Sequence, residues 1–218
     1  MKEDEQQQEE LVESESAPEA CCDIGNGEVY IFGEITASMS KGVVFGLFRM
    51  IEEGVPHIVV YISSEGGYTI HSTSICEVLM LARHKGIEIT TYAMGGCASG
   101  AADIFLCGST RLISKYCTFL MHSSCVTAAN ASITTILKDA KMELSREKDF
   151  ISDVLKDTGI DYAYYAEKTD GKDWLLTPKN CVKLGLAHRV TNNKPKEVRN
   201  VRGRKKTKKS TGRRATAR

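Results

Sequence analysis

The chain has no uninterrupted apolar stretch approaching the ~18 residues that suggest a membrane span, and its acidic start is unlike a signal peptide. A soluble, intracellular, cytoplasmic protein is expected. Its eight cysteines include no CxxC pair, and no paired His/Cys spacing suits zinc. No metal and no cofactor is implied. Cys76, Cys97, Cys107, Cys117 and Cys181 lie inside apolar patterns, the usual setting of reduced core thiols. There is no internal repeat either, and 218 residues with 42% hydrophobic content can bury one sizeable core. One compact domain with tails is the natural organisation.

Net charge is scarce overall, at +1, but it is unevenly distributed. Residues 1–22 hold eight acidic side chains against Lys2 alone, and residues 192–218 hold twelve Lys or Arg against Glu197 alone. Both ends are polar, free of aromatics and rich in like charge, so 1–26 and 192–218 are expected to be disordered tails. Such a basic segment can neutralise nucleic-acid phosphates in a salt-sensitive, sequence-blind way, or contact an acidic partner. With no aromatic between its cations, it is poorly suited to base stacking.

The body, 27–191, alternates strands and helices. Apolar and β-branched runs predict strands at 28–33, 57–62, 87–92, 110–113 and 118–121. Helical spacing predicts helices at 38–53, 69–83, 101–107, 131–156 and 162–167. The continuous run His57-Ile58-Val59-Val60-Tyr61-Ile62 suits a parallel strand buried on both faces. Alternation of this kind predicts an α/β fold with right-handed crossovers. Sites in such sheets form at the carboxyl ends of the strands, where Gly66-Gly67 and Gly95-Gly96 both fall.

The segment Gly95-Gly96-Cys97-Ala98-Ser99-Gly100 sets one serine in a small-residue turn before a helix. A helix start offers unpaired N–H groups and a positive dipole end, which suit an oxyanion developing beside Ser99. A turn packed tightly for steric reasons alone remains an equal reading. His122 and Asp173 also stand at element ends, the second in a loop leading to a helix N-cap at Thr177. Acyl transfer uses such a set: a hydroxyl nucleophile, an imidazole that takes its proton and a carboxylate that holds the imidazole tautomer. Either residue alone reads as an ordinary surface group.

In order, Tyr61-Ile62-Ser63-Ser64-Glu65-Gly66-Gly67, Gly95-Gly96-Cys97-Ala98-Ser99, Leu120-Met121-His122 and Asp173-Trp174-Leu175-Leu176-Thr177-Pro178, with Gly185-Leu186 downstream, resemble motifs of the ClpP family of serine peptidases. The likeness covers residues 27–191. It implies a crotonase-like βαβ spiral with a long handle helix at 131–156. It also implies Ser99 as nucleophile, His122 as general base, Asp173 as carboxylate, and the backbone N–H groups of Gly67 and Gly100 as the oxyanion hole. Peptide substrates and a homo-oligomeric double heptameric ring follow from the same resemblance. So does an AAA+ unfoldase as partner, although this chain has an acidic tail where the family has an apolar pore segment. Glu65, Gly100 and Ser123-Ser124 depart from the family pattern, at the edge where a substrate strand would lie. Cys97 is a rival nucleophile, but Ser99 has the family's spacing to Gly108. Two other functions fit the same fold: a non-cleaving ring or scaffold subunit, and a crotonase-type enzyme acting on acyl-coenzyme A thioesters.

Overall fold

The computed structural model describes residues 21–125 and 132–192. Most of both charged tails lies outside the described residues, as does residue 131, the first position of the predicted long helix. Strands β1 to β8 run at Cys22–Asp23, Glu28–Phe32, His57–Ser64, Glu88–Ala98, Thr110–Ile113, Thr118–Met121, Trp174–Leu176 and Arg189–Val190. Helices α1 to α6 run at Ala37–Glu52, Thr69–His84, Gly100–Leu106, Ile133–Leu155, Tyr162–Thr169 and Pro178–Lys183. The sheet order is β1-β2-β3-β4-β5-β8, and all neighbours after β1 are parallel. A second tier grows from the far end of β4, where β6 pairs parallel to it and β7 pairs antiparallel to β6.

The period-2 pattern sorts the side chains of β3. Ile58, Val60 and Ile62 enter the main core with Leu47, Leu79 and Phe105 from the helices. Val59 and Tyr61 join Tyr92 and Leu112 on the opposite face. Both faces of this strand are therefore dry, as its unbroken apolar run predicts. Caps follow local chemistry: the side chains of Thr36, Ser132 and Thr177 accept from the N–H groups of Met39, Thr135 and Asn180 at the starts of α1, α4 and α6.

Three features differ from the sequence reading. Order begins before residue 27, because β1 zips onto β2 and Asp23 closes the intervening turn by accepting from the Asn26 N–H. The glycine-rich run before Ser99 is strand rather than turn. Gly96, Cys97 and Ala98 pair with Thr118, Phe119 and Leu120, so tertiary pairing overrides weak local propensity. Within the predicted loop, residues 174–176 form β7 for the same reason.

Helix α4 is exposed along most of its length. Ile133, Leu137, Met142 and Leu144 all face solvent, and only Glu147, Ile151, Val154 and Leu155 near its far end are buried. Among the described residues, no helix is long and apolar enough to cross a membrane.

Arg111 ties the second half of the chain to the sheet. It is fully buried and donates four hydrogen bonds, to the carbonyls of Leu186, Gly108, Asp157 and Gly185 at 2.8–3.0 Å. Burial pulls its pKa down, yet the guanidinium fork satisfies carbonyls at the ends of α3, α4 and α6 together. Arg111→Ala should lower folding stability by roughly 3–5 kcal/mol, since several buried acceptors lose their donor. Urea denaturation measures this. A loss below about 1 kcal/mol would show that these carbonyls find other donors.

Candidate active site

Ser99 follows β4 directly and caps α3. Its backbone has φ 55° and ψ −132°, and it is the one non-glycine with positive φ among the described residues. Such a conformation costs on the order of 1–3 kcal/mol and persists only where its surroundings impose it. Here three hydrogen bonds do so: the Ser99 N–H donates to the Leu120 carbonyl at 3.0 Å, while the Ser99 carbonyl accepts from Ala102 and Asp103. Gly66 closes the arrangement from the β3 side. A Cβ there would lie 2.8 Å from both the Ala98 carbonyl oxygen and Ser99 Cβ.

His122 ends β6. Its Nε2 lies 2.9 Å from Ser99 Oγ, and its Nδ1 lies 2.7 Å from the Ser123 carbonyl. Since a carbonyl only accepts, Nδ1 carries the proton and Nε2 is left to accept from the serine hydroxyl. The Tyr165 hydroxyl donates to the His122 carbonyl at 2.8 Å and anchors this strand end from α5.

Asp173 immediately precedes β7. The β6–β7 ladder pairs Met121 with Trp174, so the next step of the register sets Asp173 across from His122. Its side chain is exposed and makes no hydrogen bond to His122. The structure thus brings Ser99 and His122 together, leaves Asp173 beside them but unengaged, and gives Nδ1 to a backbone carbonyl instead.

The N–H groups of Gly67 and Gly100 have no acceptor among the described residues. Both residues line one cavity with Ser99 and His122, about 490 Å³ in volume. Gly67 cannot carry a side chain, because its Cβ would fall on the Ile35 backbone with which it forms a parallel bridge. Gly100 faces the same limit from α2, where Ser72 occupies the space a Cβ would need. That packing gives a physical reason for a glycine directly after Ser99.

Cys97 is fully buried, and its thiol donates to the Ala101 carbonyl. Burial pushes its pKa well up. It faces the core rather than the cavity, which removes it as the rival nucleophile. Among the described residues no group of three His, Cys, Asp or Glu is arranged to hold a metal.

Several residues of the cavity escaped the sequence reading. Glu147 is buried on α4, and the Ser124 N–H donates to its carboxylate. Asp103 lies one helical turn past Ser99 and lines the same cavity. Its visible signal was a single charge inside the apolar run Ala101-Ala102-Asp103-Ile104-Phe105-Leu106. Glu147 gave no such signal on a helix crowded with charge.

A serine and a histidine in hydrogen-bond contact at the strand ends of a parallel sheet have the geometry of a nucleophile and its base, the arrangement of acyl-transfer hydrolases. The chain belongs to the Clp protease family, whose model matches residues 24–194. Its fold is that of a ClpP1 point mutant from Listeria monocytogenes, with a TM-score of 0.65 and 20% identity over 78% of this chain and 94% of that one. Among curated proteins, none matches the chain.

The strain at Ser99 predicts an inverted stability order. Glycine in place of alanine ordinarily destabilises by roughly 0.5–1 kcal/mol. At position 99, Ser99→Gly should instead be more stable than Ser99→Ala by about 1 kcal/mol, because only glycine adopts this backbone freely. Urea midpoints of the two variants decide it, and an alanine variant at least as stable as the glycine one would remove the strain argument.

Proposed function

We propose that this chain is a serine endopeptidase acting inside a self-compartmentalised ring. The observation that carries the reading is the 2.9 Å contact between His122 Nε2 and Ser99 Oγ, beside two acceptor-free N–H groups. In the proposed reaction, Ser99 Oγ attacks the scissile carbonyl while His122 Nε2 takes its proton. The Gly67 and Gly100 N–H groups donate to the oxyanion that forms. His122 then protonates the leaving amine, and a water attacks the acyl-enzyme with its proton passing to the same nitrogen.

The Ser123 carbonyl orients the imidazole in the resting arrangement, and Asp173 replaces it when substrate or assembly closes the site. The ladder register supports this, since it leaves Asp173 opposite His122 with its carboxylate uncommitted. The exposed apolar residues of α4 support burial against a second copy, and the ring follows from family membership. An AAA+ unfoldase is the proposed source of unfolded substrate, and the basic segment 192–218 is proposed to contact nucleic acid or an acidic partner outside the chamber. Location in the cytoplasm is proposed with them.

The acyl-coenzyme A reading fits the cavity poorly. Among the described residues its wall carries Glu77, Asp103, Glu143, Glu147, Asp149 and Asp153 against Arg146 alone of Lys and Arg, a field that repels nucleotide phosphates. A purely structural subunit would gain nothing from a strained serine.

A fluorophosphonate should label wild-type protein at Ser99, and both Ser99→Ala and His122→Ala should lose labelling and peptide cleavage while remaining folded. Adduct mapping by mass spectrometry reads the result, and labelling elsewhere contradicts the reading. For Asp173→Asn, turnover should fall on the order of 10⁴-fold with KM little changed. A loss smaller than about tenfold would instead leave the Ser123 carbonyl as the sole orienting group.

A further inference from the structure

Resting on the peptidase reading above, we propose that the cavity beside Ser99 receives a Lys or Arg side chain of the substrate, on the residue donating the scissile carbonyl, and that Asp103 is the residue that binds it.

The Asp103 N–H donates to the Ser99 carbonyl at 3.3 Å, so the two residues sit one turn apart on the same face of α3. One turn rises about 5.4 Å, within reach of an extended Lys or Arg side chain whose carbonyl lies at Ser99 Oγ. Both residues line the same cavity.

The Asp103 carboxylate has no hydrogen bond or ion pair among the described residues. Among the described residues its neighbours offer no cation. Glu147 faces it from α4, Cys76 from α2, Cys97 from β4 and Tyr165 from α5, and Glu77 of α2 lines the same cavity. Arg146 on the rim is committed to Glu143 at 3.2 Å with its side chain largely in solvent. Burial pushes the Asp103 carboxyl up to about 7, and the Glu147 charge adds to the shift. An arriving ammonium or guanidinium supplies the missing counter-charge and favours the ionised carboxylate. An apolar side chain would leave that carboxyl desolvated with nothing to pair it. The chain's own residues 192–218, with twelve Lys or Arg, contain peptide chemistry of the proposed class.

The test uses full-length protein and two internally quenched peptides that differ only in Lys or Leu before the scissile bond. Wild type should favour the Lys peptide by at least about tenfold in kcat/KM, and Asp103→Asn should reduce that ratio by about tenfold or more. A synthetic peptide of residues 192–218 should be cut on the carboxyl side of Lys or Arg, read by mass spectrometry. Should Asp103→Asn melt early, the wild-type ratio and the cleavage map still decide. Preference for Leu, equal rates, or a ratio unchanged in a folded Asp103→Asn protein would overturn the inference while leaving the peptidase reading intact. Failure of wild type to cleave either peptide or to take a fluorophosphonate at Ser99 would overturn both.

Discussion

The left-handed backbone at Ser99 is the constraint on which the site depends. A serine in ordinary helical geometry would continue α3 and turn its hydroxyl with the helix. At φ 55° the chain instead reverses sharply as β4 ends, and Oγ faces His122. Four separate parts of the fold hold that reversal: β6 through the Leu120 carbonyl, α3 through its first turn, the Gly66 turn after β3, and Ser72 of α2 against Gly100. Strain of this kind is stable only when many contacts over-determine it. The sheet order explains how they can, since β3, β4 and β6 are neighbours and all end near one point.

Electrostatics at that point are arranged by burial more than by pairing. His122 is held through backbone groups on both sides, its ring by the Ser123 carbonyl and its own carbonyl by Tyr165. Glu147 fixes the strand end that follows by accepting from Ser124. The remaining carboxylates of the wall face the cavity with little positive charge to offset them, so the cavity presents a negative field to whatever approaches Ser99. Arg111 stands apart from this field. It holds α4 and the α6 turn on the sheet, and thereby keeps Glu147 and Tyr165 within reach of the site.

Much of this was legible in the residues. The β-branched run 57–62 and the apolar spacing of 38–53 state their elements plainly, because their periodicity and their burial agree. Ser99 and His122 could be singled out as element-end polar residues, and the resemblance joined them. The strand through Gly95–Gly96 was hidden, since small residues carry little strand propensity and their pairing with β6 is a tertiary fact. The Ser123 carbonyl as orienting group could not be read from side chains at all, being backbone. Asp103 was visible as a lone charge in a buried helix, but only the fold shows that its turn faces the cavity.

The most direct test of the account is a crystal structure of the protein phosphonylated at Ser99. The phosphonyl oxygen should lie within about 3 Å of the N–H groups of Gly67 and Gly100, with Ser99 still at positive φ. An oxygen turned to solvent, or a Ser99 backbone relaxed to ordinary helical values, would contradict it.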